Sequence, residues 1–145
     1  MNINSNLQLA SDIRTTVTRL VKKLRKESPT GLRLSLTERS TLALLNQHKS
    51  LLPNELASME MITNQSMSQV LSHLFELGYI TRTISDTDKR KVIISLTAEG
   101  EQTLTKVRDE RNEWLARAIT ETCTPEEQAM LQQVLAPLHK LVDFK

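Results

Sequence analysis

Apolar residues recur along most of this chain with a period near 3.6, the mark of helices with one buried side. Ala10, Ile13, Val17, Leu20, Val21 and Leu24 form such a stripe on a predicted helix from about Leu7 to Glu27, closed by Ser28-Pro29-Thr30-Gly31. Leu32, Leu34 and Leu36 then alternate, which predicts a short strand in the connection. A helix from Glu38 to about Gln47 follows, with Thr37 as its cap and Leu42 and Leu45 inward. Pro53 to Met59 reads as a short helix opened by proline, with Leu56 and Ala57 turned in. The link Glu60-Met61-Ile62 leaves room only for a tight turn before the next helix. Met67, Val70, Leu71, Leu74 and Leu77 line one side of that helix, Thr63 caps its start, and Gly78 supplies the left-handed residue that ends it.

The period then drops to two. Ile80-Thr81-Arg82-Thr83-Ile84 and Lys91-Val92-Ile93-Ile94-Ser95-Leu96 are β-branched, alternating runs that pair as a hairpin around the tip Ser85 to Arg90. Helical spacing returns after Thr97, a second cap, with Leu104, Val107, Trp114, Leu115, Ala118 and Ile119 on the apolar side of a long helix ending near Thr122. Thr124-Pro125-Glu126-Glu127 is a capping box that opens the last helix, lined by Met130, Leu131, Val134, Leu135, Leu138, Leu141 and Val142 and expected to bend at Pro137. The fold expected is mainly α with a small β-wing. A winged helix-turn-helix lobe at 36–96 (helix-turn-helix 53–77, wing 80–96) lies between helical arms at 7–28 and 98–143, within a single domain of 1–145.

The long arm stripes carry more apolar surface than a lobe of roughly 60 residues needs, so a second copy of the chain is the expected partner. A two-fold dimer would hold two reader helices roughly 34–36 Å apart, one turn of duplex DNA. The alternative is a monomer whose arms fold back on the lobe.

Opposite the buried stripe of the helix after Thr63 stand Gln65, Ser68, Gln69, Ser72 and His73. Neutral hydrogen-bonding groups replace the Lys/Glu mixture of an ordinary solvated helix. They suit base edges, since Gln can pair bidentately with adenine and Ser can donate or accept. Asn64 and Ser66, in the first turn, join this candidate recognition set, and the free N–H groups there suit a phosphate. The hairpin contributes Arg82, Lys89, Arg90 and Lys91, four cations against Asp86 and Asp88 between Thr81 and Lys91. Asp88 is expected to fix the direction of Arg90, which would enter a minor groove. A plain solvated loop is the competing reading.

Composition narrows the target. The 145 residues carry a net charge of only +2, so cations must act by local concentration. Aromatics make up 3%, too few for the stacking platforms that bind single strands or RNA. No apolar run approaches the ~18 residues of a membrane span, and the polar start lacks a secretory pattern; a cytoplasmic protein without membrane contact is expected. Cys123 stands alone, which excludes an intrachain disulfide and leaves a passive thiol or a redox link across a dimer. His48, His73 and His139 lack ligand spacing, and no nucleophile elbow, phosphate loop or paired-carboxylate pattern is present; neither metal, cofactor nor enzymatic activity is expected. Arg19, Lys22, Lys23 and Lys26 share a helical face that reads as solvated.

The run from about Leu36 to Gly100 resembles the multiple-antibiotic-resistance-regulator (MarR) family of bacterial transcription factors. Glu55-Leu56-Ala57, Thr63-Asn64-Gln65-Ser66-Met67-Ser68-Gln69-Val70, Leu74 with Gly78-Tyr79-Ile80 and Arg82, Asp88-Lys89-Arg90, and Leu96-Thr97-Ala98-Glu99-Gly100 match in order and spacing. The resemblance implies a homodimer on a pseudo-palindromic operator, with the polar helix in the major groove and the wing arginine in the minor groove. It also implies release by small aromatic ligands or, in a subset, by thiol oxidation. Gln69 stands where the family often has Arg, Lys89 replaces a common Arg, and Ser85 and Thr87 dilute the usual acidic, Pro-containing tip. The function expected is a dimeric, sequence-specific double-stranded-DNA-binding transcriptional regulator, a repressor released by a small aromatic or anionic effector. The alternative is a winged-helix protein-interaction module.

Overall fold

The computed structural model describes residues 2–145. The chain opens with α1 (Ile3–Lys26), which starts earlier than its apolar stripe because the Asn2 side chain accepts the Ser5 N–H at 3.1 Å and caps it. No strand forms at Leu32–Leu36, contrary to the alternation there. Gly31–Arg33 is a single 3-10 turn that drops Leu34 into the core and leaves Leu32 and Leu36 exposed. Nor does Thr37 cap the next helix. In α2 (Leu36–His48) the cap is Ser35, whose Oγ accepts the Glu38 N–H at 3.0 Å while Glu38 Oε1 accepts the Ser35 N–H at 2.8 Å.

Lys49 leaves α2 with a φ of 68° and turns the chain at once into β1 (Ser50–Leu51), the actual third strand. Next come α3 (Pro53–Glu60) and α4 (Asn64–Glu76), then the hairpin of β2 (Ile80–Ile84) and β3 (Val92–Leu96). The antiparallel sheet has the order β1-β3-β2, with Leu51 opposite Ile94 and Arg82 opposite Ile94 on the other side. Lys91, expected in the second strand, belongs to the tip, because its N–H donates to Asp88 O at 3.0 Å. The arms close with α5 (Ala98–Thr122) and α6 (Pro125–Asp143), which continues past Pro137.

One core holds the lobe: Leu42 and Leu45 of α2, Leu56 of α3, Met67, Leu71 and Leu74 of α4, and Leu51, Ile80 and Ile94 of the sheet. The arms differ, for no residue of α1 or α6 is buried.

Lobe and arm meet at a knot of backbone. Gly78, at a φ of 79°, ends the turn after α4, and its carbonyl accepts the Thr97 hydroxyl at 2.6 Å. The Thr97 N–H donates to Tyr79 O at 3.0 Å, and Thr97 Oγ1 accepts the Gly100 N–H at 3.0 Å, capping α5. A Cβ on Gly100 would lie 2.1 Å from the Tyr79 carbonyl oxygen. Because that oxygen is backbone held in the knot, Gly100→Ala is expected to cost at least about 1–3 kcal/mol. Urea unfolding checks this, and an unchanged midpoint would contradict it.

Candidate nucleic-acid interface

The presented face of α4 exists because the opposite face is fully used. Met67, Leu71 and Leu74 are buried, so helical geometry forces Gln65, Ser68, Gln69 and Ser72 outward into a shallow exposed surface shared with His73 and Glu76. Asn64, Gln65, Ser68, Gln69 and Ser72 carry no side-chain hydrogen bond among the described residues. Their donors and acceptors are free. Thr63 Oγ1 accepts the Ser66 N–H at 3.0 Å and donates to Ser66 Oγ at 3.0 Å, so Ser66, unlike its neighbours, is engaged in the cap.

His73 is also committed. Its Nδ1 contacts the carboxylate of Glu38 on α2, the same side chain that closes the Ser35 capping box. Burial pushes the Glu38 carboxyl up, but the Ser35 backbone N–H, the His73 ring and the Ser35 hydroxyl together hold it below the usual carboxylate range. Glu38 was not among the sequence candidates, although its place three residues after Ser35 is the capping-box signal.

At the wing tip, Asp88 Oδ1 accepts the Arg90 backbone N–H at 3.0 Å and its Nε–H at 3.1 Å, while Oδ2 accepts an Nη2–H at 3.3 Å. These bonds, first the side-chain and then the backbone one, hold the half-buried Asp88 carboxyl below its ordinary value. Arg90 nevertheless projects into solvent with its side chain 91% exposed. Beneath it, the buried Ser85 hydroxyl accepts the Thr87 and Asp88 N–H groups, each at 3.3 Å, and shapes the tip. Lys89 and Lys91 are exposed and form no ion pair among the described residues. Arg82 lies on β2 with its guanidinium carbon 5.0 Å from the centroid of the Phe75 ring. The α1 cations are partly engaged within the arms, as Lys23 pairs with Glu27 at 3.2 Å and lies 5.7 Å over Trp114.

Among the described residues no cluster of three His, Cys, Asp or Glu side chains could hold a metal ion. No helix among them is long and apolar enough to cross a membrane. Cys123 is half-buried at the α5–α6 junction, with Sγ 3.8 Å from Thr122 Oγ1.

Comparison with known proteins places this geometry. The MarR family model matches residues 34–92, from the start of the lobe into β3. An HTH-type transcriptional regulator of Mycobacterium tuberculosis is 30% identical over 141 residues, covering 97% of both chains. This chain belongs to the MarR family. It is a transcriptional regulator with a DNA-binding winged helix, and not an enzyme. A Pseudomonas aeruginosa protein assigned as a transcriptional regulator superposes with a TM-score of 0.83 at 29% identity, over 98% of this chain and 99% of that one. MepR of S. aureus, solved bound to an oligodeoxyribonucleotide, has the same fold, with a TM-score of 0.73 at 19% identity over 93% and 98% of the two chains.

Within this MarR-family lobe the Glu38 carboxylate ties α4 to α2, and its lowered pKa fixes the sign of a pH effect. A depressed folded-state pKa contributes stability that is present above the unfolded value and is lost as pH falls through the folded one. Unfolding free energy should therefore decline as pH falls through and below the ordinary carboxylate range, and Glu38→Gln should flatten part of that decline. Urea titrations across this range check it; parallel declines in both proteins would contradict the assignment.

Proposed function

We propose that the chain acts as a homodimer on a pseudo-palindromic duplex, with α4 in the major groove and the wing in the minor groove of each half-site. The observation that carries this reading is the free amide face of α4 beside a cationic hairpin on one rigid lobe. Asn64, Gln65, Ser68 and Gln69 read base edges, Gln69 favouring adenine, while Ser66 and His73 border the helix at the phosphates. Arg90, aimed by Asp88, enters the minor groove, and Arg82, Lys89 and Lys91 hold phosphates. MepR, of the same fold and bound to an oligodeoxyribonucleotide, supports DNA as the partner.

Dimerisation through the arms at 7–28 and 98–143 is supported by their exposed apolar stripes. Val17 is 47% exposed, Leu131 44% and Leu135 52%, on helices otherwise spaced for burial. A second copy covers them. Bound over a promoter, such a dimer excludes other proteins from the site and represses, and a small aromatic or anionic effector releases it from the junction of lobe and arms. Arg39 on α2 supports an anionic effector there, being buried at that junction with its Nε unpartnered and a terminal nitrogen 3.2 Å from the position of a Gly31 Cβ. Burial, then Arg25 and Arg111 nearby, lower its pKa, and no carboxylate forms an ion pair with it among the described residues.

Selection of random duplexes against the purified protein should return an inverted repeat, with binding that falls steeply between roughly 50 and 200 mM salt. Failure to enrich any duplex, or a flat salt response, would contradict the reading and favour a protein-interaction module. On the recovered site, Arg90→Ala is expected to weaken binding by roughly 1–3 kcal/mol, whereas Gln69→Ala should relax the choice of one base. An unchanged affinity for Arg90→Ala, measured by fluorescence anisotropy, would remove the wing from the mechanism.

A further inference from the structure

Phe75 is an anomaly on α4. The other large apolar residues of that helix turn toward the core, with Met67, Leu71 and Leu74 at 1%, 3% and 0% exposure, yet Phe75 is 49% exposed. Helical spacing sets it three residues beyond Ser72, on the edge of the polar face that borders the wing. Its ring there meets Arg82, whose guanidinium carbon lies 5.0 Å from the ring centroid.

The two wing arginines are held by different chemistry. Arg90 gives its Nε–H and an Nη2–H to Asp88, so part of its donor set is spent. The Arg82 side chain makes no hydrogen bond or ion pair among the described residues. A guanidinium held over an aromatic ring is attracted through its face, and the N–H donors in its plane stay free. Holding the side chain before binding also reduces the rotamer freedom lost on contact. Its strand lies between α4 and the wing tip, at the place where a sugar–phosphate strand separating a major-groove helix from a minor-groove hairpin would run.

We infer that Phe75 is a positioning residue that holds the Arg82 guanidinium for one backbone phosphate between the two grooves. The inference rests on the proposed docking of α4 and the wing on duplex DNA. Phe75 itself reads no base, and the ligand of Arg82 is a phosphodiester, so both effects are indifferent to sequence.

The test compares wild type, Phe75→Leu, Phe75→Tyr, Arg82→Ala and the double variant Phe75→Leu/Arg82→Ala, on one selected duplex and one unrelated duplex across a salt series. Arg82→Ala should weaken both duplexes alike and lower the salt slope by about one. Phe75→Leu should weaken binding roughly two- to five-fold in the wild-type background and have no effect in the Arg82→Ala background. Phe75→Tyr, which keeps the ring face, should bind as wild type. In the free proteins, ring-current shifts of the Arg82 side-chain protons should be present with Phe or Tyr at position 75 and absent with Leu. Equal losses from Phe75→Leu in both backgrounds would overturn the inference, as would a selective loss on one duplex or shifts that survive Phe75→Leu. If wild type binds no duplex, the docking proposal fails with it; if wild type binds and Arg82→Ala is silent, this inference fails alone.

Discussion

The architecture turns on the knot where Gly78 and Tyr79 meet Thr97 and Gly100. In that small space the last turn of α4, the start of β2, the end of β3 and the first turn of α5 share three hydrogen bonds around one hydroxyl and one amide. The Gly100 backbone sits against the Tyr79 carbonyl so closely that no side chain fits. As a result α4, the wing and the arm are joined through part-buried hydrogen bonds, which would have to break for any one of them to be reoriented alone.

Around this joint the lobe divides its polar groups into spent and unspent ones. Ser35, Glu38, Thr63 and Thr97 are consumed by caps, and His73 by Glu38. Gln65, Ser68, Gln69 and Ser72 are not consumed by any side-chain hydrogen bond among the described residues. Exposed amides and hydroxyls that close no internal bond keep their donors and acceptors available to whatever meets that face of α4. The wing follows the same logic, with Asp88 aiming Arg90 and the Phe75 ring beside Arg82.

Much of this was legible in the sequence because it is local. The caps at Thr63, Thr97 and Thr124, the proline-opened α3 and the hairpin follow from rules that act over three or four residues. Even the missed cap was written there, since Ser35 has Glu38 three residues on, whereas Thr37 has Ser40. The third strand escaped because two residues, Ser50 and Leu51, are too few to show a period, and the alternating leucines before α2 imitated one. Contacts between distant segments had no local signature at all. The Glu38–His73 pair spans 35 positions, and the meeting of Phe75 with Arg82 depends on how the chain turns at Gly78.

Hydroxyl-radical footprinting of the protein on a selected duplex tests most directly whether paired chains read DNA as two rigid units. The account predicts two symmetric protected tracts whose centres lie about 10–10.5 base pairs apart, each flanked on its outer side by a protected minor groove. A single tract, or uniform protection without two-fold symmetry, would contradict it.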